Sequence, residues 1–143
     1  MSVILTQTDT TVGFLSQDSK KLYEIKSRVN SKPFIKVYSN FKAFLKSGRR
    51  VPHSQKAFIR RATKTTFIVK NSAFRVASFK LDSQLLKEQV WHYSTSANES
   101  GKKFSREFCE NKATVIIENQ NGFSENSSSS LYKINNIKIG KLR

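Results

Sequence analysis

The segment Tyr93-Ser94-Thr95-Ser96-Ala97-Asn98-Glu99-Ser100-Gly101 brings four Ser/Thr hydroxyls, a carboxamide and a glycine into one short stretch, directly after the apolar run Val90-Trp91-His92-Tyr93. Small hydrogen-bonding side chains so closely spaced suit a loop that closes around an oxygen-rich ligand, and phosphate is the obvious guest. On its own the segment reads equally as an ordinary Ser/Thr/Asn turn. What tips the balance is a cationic group far upstream, Lys26-Ser27-Arg28 with Lys32-Pro33. An arginine offers phosphate oxygens a bidentate fork and a lysine a point charge. Near the start, Thr8-Asp9-Thr10-Thr11-Val12-Gly13-Phe14 adds a third polar segment with a glycine that permits close backbone approach.

These segments need elements to hold them. Val3-Ile4-Leu5-Thr6 reads as a short buried strand delivering Thr8-Asp9-Thr10 to a loop. Asp18 or Ser19 caps a helix through Leu22 and Ile25, with Lys20, Lys21 and Glu24 outside, so Lys26 and Arg28 fall at its C-terminal end. Pro33 ends that stretch, and Phe34 to Tyr38 alternates like a strand. A second helix runs from Phe41 to Ser47 between Asn40 and Gly48, its apolar face made by Phe41, Phe44 and Leu45. A third, Gln55 to Ala62, is capped by Ser54, with Ala57, Phe58 and Ile59 inward; Arg60 and Arg61 are phosphate contacts or simply a solvated face. Thr65 to Val69 and Phe74 to Phe79 read as paired strands around Asn71-Ser72. A short helix from Asp82 to Gln89 leads into the strand at Val90, and another forms around Arg106. Ala113 to Glu118 is a strand, and Leu131 to Ile134 with Ile137 to Ile139 make a terminal hairpin over Asn135-Asn136. The succession predicts one α/β (α+β) domain over residues 1–143, a twisted mixed sheet with helices packed on it.

Composition narrows the function classes. At 143 residues with 37% hydrophobic content the chain can build a core. No apolar run is long enough to span a bilayer, and the first residues lack the basic start and long apolar middle of a secretory signal, so a cytoplasmic location and no membrane partner are expected. The single cysteine, Cys109, excludes an intrachain disulfide and reads as a packed helix position; with His53 and His92 it makes no metal site. Neither the P-loop nor the dinucleotide fingerprint is present. The formal charge is +16, and between Glu24 and Asp82 fifteen Lys and Arg occur with no acid. A stretch of one sign gathers polyanions, nucleotide phosphates or an RNA backbone.

Taken together, Lys26-Ser27-Arg28, Ser94-Thr95-Ser96-Ala97-Asn98 and Thr8-Asp9-Thr10-Thr11-Val12-Gly13-Phe14 resemble, in order and rough spacing, three motifs of the YrdC/YciO family. Its active members are threonylcarbamoyl-AMP synthases, nucleotidyltransferases that serve tRNA modification. The resemblance implies ATP with Mg²⁺, L-threonine and bicarbonate as substrates, with tRNA or double-stranded RNA as a further partner. It assigns Lys26, Arg28 and Lys32 to the triphosphate, and Ser96 and Asn98 to the adenylate and triphosphate. Thr10, with Thr8 nearby, matches the substrate-threonine contact, while Thr66 and Arg75 match a strand threonine and an arginine of the nucleotide site. Singly, Thr66 also reads as a strand former and Arg75 as half of an ion pair. The sequence departs from the family pattern at several places. The opening helix is missing, Gln7 and Val12 replace a proline and an aromatic, Val29 follows Arg28 in place of proline, and Val37 stands where a histidine often serves threonine. Ala62-Thr63-Lys64 and Ala77 replace further prolines and a glycine. A non-catalytic nucleotide- or double-stranded-RNA-binding relative is the alternative that these departures leave.

Overall fold

A computed structural model describes residues 3–8, 11–26, 34–48, 50–70, 72–76, 90–98, 102–118, 120, 122–125, 129–135 and 139–143. The chain divides into two compact units, one formed by Met1–Phe34 with His92–Ser128 and the other by Ile35–Trp91 with Ser129–Arg143.

The first unit holds strands β1 (Ile4–Gln7), β2 (Val12–Ser16), β6 (Trp91–Ser96, from His92 onward) and β7 (Val115–Ile117), with helices α1 (Ser19–Lys26) and α4 (Arg106–Lys112). The strand order is β7-β1-β2-β6, with β7 parallel to β1 and the other pairs antiparallel. Strand β2, Val-Gly-Phe-Leu-Ser, is buried at every position, so it lacks the alternation by which a half-exposed strand announces itself in sequence. Val3, Leu5, Val12, Phe14, Leu22, Ala97 and Cys109 form the core. At the start of α1 the Asp18 carboxylate accepts the Lys20 amide at 3.1 Å, and Ser105 caps α4 by accepting from Phe108 N.

The second unit orders its strands β3-β5-β4-β8-β9, where β3 is Ile35–Tyr38, β4 Thr65–Val69, β5 Ser72–Val76, β8 Ser130–Ile134 and β9 Ile139–Lys141. Strand β3 runs parallel to β5 and β4 parallel to β8, while β4–β5 and β8–β9 are antiparallel, so the pairing here too is mixed. Helices α2 (Phe41–Lys46) and α3 (Lys56–Arg61) accompany it. The core is aromatic: Phe44 stacks on Phe74 with centroids 4.7 Å apart, and Phe67 lies 5.7 Å from Phe74.

Several local expectations are corrected. Leu45 is 45% exposed, because residues 41 and 44 with Ala43 already fill the buried side of a helix of six residues. Ser54 does not cap α3; a 3-10 turn over His53–Gln55 precedes it, and Gln55 makes no side-chain cap. Ala57 is exposed and Ile59 is buried, while Phe58 keeps its ring against Phe67 and Tyr132, with centroids 5.8 and 5.1 Å away, although 36% of it remains exposed. Ser72 belongs to β5 rather than to the turn before it. The expected helix from Asp82 to Gln89 lies outside the described residues.

Candidate functional site

The side chain of Lys26, last residue of α1, is 3% exposed. A buried ammonium is tolerated only when its donors are met. Here Nζ donates to Ser96 O at 3.0 Å, Asn98 O at 2.8 Å and Asn98 Oδ1 at 2.7 Å. The same Oδ1 accepts from Ser96 Oγ at 2.7 Å, and Asn98 Nδ2 donates to Lys102 O. Two segments some seventy residues apart in sequence are thereby fastened together. The strand, however, runs further than expected: Ser94, Thr95 and Ser96 still belong to β6, paired with Leu15, Phe14 and Gly13. The loop proper begins at Ala97, which is buried and whose amide donates to Val12 O at 2.9 Å.

Gly13, directly across from Ser96, shows why no side chain is accommodated there. A Cβ at that position would stand 3.1 Å from Thr95 O and 3.2 Å from the Thr8 methyl. Thr8 is therefore brought beside the Ser96 strand. Its own polar atoms face the neighbouring chain: Oγ1 donates to Thr11 O at 2.5 Å and accepts from Thr11 N at 3.2 Å. Segment 122–125 clasps the same hairpin, with Val12 N donating to Ser124 O and Ser124 N to Gln7 Oε1. Thr8, Lys26, Ser96 and Asn98 thus share one region of the first unit. Arg28, Lys32 and Thr10 lie outside the described residues.

Cys109 is buried in α4, and burial raises its thiol pKa, with the Lys26 charge opposing more weakly, which fits a packing role and not that of a nucleophile. His92 is 4% exposed; among the described residues its Nδ1 has no partner, and burial lowers its pKa to about 4. Arg106 donates to Glu110 and Glu118, a surface cluster that holds Glu118 below the usual carboxylate range.

In the second unit, Thr66 is buried and its Oγ1 shares a 2.8 Å hydrogen bond with Ser129 Oγ. Arg143 reinforces the pair, its Nε donating to Ser129 O at 2.9 Å and Nη2 to Ser129 Oγ at 3.4 Å. Ser129 was not among the sequence-derived candidates, because one serine in a serine-rich loop carries no distinguishing pattern. Phe67 pairs with Phe74, and half-buried Arg75 follows Phe74 along β5, on the face opposite that phenylalanine. Among the described residues no group of three or more His, Cys, Asp or Glu is placed to hold a metal ion, and no helix is long and apolar enough to cross a membrane.

No family model and no curated protein matches the sequence. Solved structures do. Sua5 from P. abyssi in complex with L-threonine aligns with TM-score 0.79 at 18% identity, over 99% of this chain and 50% of that one. A P. abyssi Sua5 variant gives 0.78 at 18%, over 99% and 49%. Full-length HypF in a phosphate- and nucleotide-bound form gives 0.73 at 15%, over 99% and 22%. The chain spans about half the length of the Sua5 structures it matches.

Proposed function

We propose that this chain, whose fold is YrdC/Sua5-like, binds ATP at the Lys26–Asn98 loop and acts as a threonylcarbamoyl-AMP synthase. One observation carries the reading: a fully engaged, buried lysine fixes the Ser96–Asn98 turn, the motif that the family resemblance assigns to the nucleotide. In the reaction, the amine of threonine takes up bicarbonate with loss of water to give a carbamate. A carbamate oxygen then attacks the α-phosphorus of ATP, and the bond from that phosphorus to the bridging oxygen breaks as pyrophosphate leaves. No protein nucleophile is required. The protein must place the reactants and meet the developing charge, with Mg²⁺ arriving on the nucleotide.

Lys26 acts in this scheme as a positioning residue, since its ammonium donates to three oxygens of the loop. Direct phosphate contacts fall to Arg28 and Lys32, and to the Ser96 hydroxyl and Asn98 amide once they exchange their present partners for ligand oxygens. Thr8 and Thr10 are assigned to threonine, and Thr66 and Arg75 to the nucleotide. The test is pyrophosphate release from ATP by the folded protein. Release should depend on both threonine and bicarbonate; release independent of either, or none, removes this reaction.

A second reading, a non-catalytic nucleotide- or double-stranded-RNA-binding relative, is favoured by one observation. Val12 and Val37, standing where the family pattern carries an aromatic and a histidine, are buried aliphatic side chains at 1% and 8% exposure. RNA binding of this kind should weaken steeply with salt and tolerate sequence changes; salt-insensitive binding counts against it.

A further inference from the structure

The positive charge is unevenly shared. The second unit carries seventeen Lys and Arg against two acids, whereas the first carries nine against eight. Within the second unit a hollow of about 380 Å³ is lined by Val51, Val69 and Ile134 and by the cationic residues Arg50 and Lys70, with Lys133 beside Ile134 but alternating to the opposite face of β8. A second hollow of about 350 Å³ shares Arg50 and Val51 with it and adds Lys56 and Leu45. Among the described residues none of these four cations is paired with a carboxylate.

The position is also informative. Strands β4 and β8 are parallel, and Val69 with Lys70 and Ile134 stand at their carboxyl ends. In open α/β sheets ligands favour the crevice beyond the carboxyl ends of the parallel strands. Thr66 and Ser129 lie at the opposite ends, about 10 Å away along β4. Lys70 also has φ 51, the left-handed region that a residue bearing a side chain enters at a cost. Where a turn favours Gly or Asn, this chain keeps a lysine directed at the hollow.

We propose that this hollow binds a small organic phosphate, its apolar or heterocyclic body against Val51, Val69 and Ile134 and its phosphate held by Arg50 and Lys70. Two cations overmatch a single carboxylate, whereas a phosphomonoester brings about two charges and three acceptor oxygens, two of which suit an arginine fork. The volume and the mainly apolar walls fit a compact molecule. Among the described residues no aromatic side chain lines either hollow to stack the bases of a polynucleotide. The proposal stands whether or not the Lys26–Asn98 loop binds ATP.

The experiment is an AMP titration of the full chain, followed by methyl NMR at Val51, Val69 and Ile134. Saturable shifts at these methyls are expected, with adenosine leaving them unmoved. Arg50→Glu should weaken AMP binding by about tenfold or more, and Lys70→Gly should weaken it while thermal stability holds or rises. Lys26→Gln should leave these shifts in place, which separates this site from the loop. Unmoved methyls at millimolar AMP, undiminished binding by the charge variants, or shifts produced by an oligonucleotide but not by AMP would each overturn the proposal.

Discussion

Two side chains decide much of the chemistry in the first unit, and both are buried polar groups. Lys26 is one. Replacing it by methionine keeps the stem but leaves Ser96 O, Asn98 O and Asn98 Oδ1 short of a donor, and should cost about 3 kcal/mol in denaturant unfolding. Hydrogen exchange at Ala97 and Asn98 should accelerate beyond the global change; if the loop amides stay protected, the lysine is not what holds it. His92 is the other. Its pKa is lowered from 6.5 to about 4 by burial, so the folded state disfavours the proton that the unfolded state accepts. Stability is therefore full above pH 6.5 and falls as pH drops from 6.5 towards 4, by about 3 kcal/mol in total. His92→Leu should flatten that limb of the stability–pH curve. At this scale the sequence was readable where a motif spoke twice, as with Lys26 and the Ser96–Asn98 turn. It was silent on Ser129, whose meeting with Thr66 depends on β4 pairing with a strand more than sixty residues away.

Among the elements, those with a local signature were legible and those defined by burial alone were not. Helix α2 is an example of the first kind: Asn40 Oδ1 accepts the Ala43 amide at 2.7 Å and Gly48 follows at φ 80. Asn40→Ala should lose about 1 kcal/mol in thermal unfolding, and an unchanged midpoint would show the helix held by its packing alone. Strand β2 is of the second kind. An all-buried run with a glycine inside, Val12–Ser16, has neither alternation nor the length of a helix, and it emerges only through its pairing with β1 and β6. Gly13→Ala tests that pairing. The added methyl meets Thr95 O at 3.1 Å and the Thr8 methyl at 3.2 Å, so β2 and β6 must part slightly. A loss of about 1–2 kcal/mol is expected, together with displaced resonances at Thr8 and Ser96; a silent substitution would mean that the glycine serves no close approach.

The whole molecule is governed by a charge that local rules do not reveal. The mixed-sheet fold was predictable from the order of strands and helices, because alternating elements leave few architectures, but how the +16 is divided required the structure. Nearly all of the excess lies in the second unit, while the Arg106–Glu110 and Arg106–Glu118 ion pairs belong to the first. Like charges on one unit repel, and that repulsion is long-ranged enough to be screened at ordinary salt, with a Debye length near 10 Å at about 0.1 M. Raising potassium chloride from about 20 to 200 mM should therefore stabilise this protein, the reverse of what surface ion pairing would produce. The gain should be local. Amide exchange should slow in β4, β5 and β8 and change little in β1 and β2, because nine cations against eight acids leave the first unit almost neutral. Equal slowing in both units would show salt acting through general exclusion from the surface, and faster exchange in β4 and β8 would show that attraction, not repulsion, dominates the second unit.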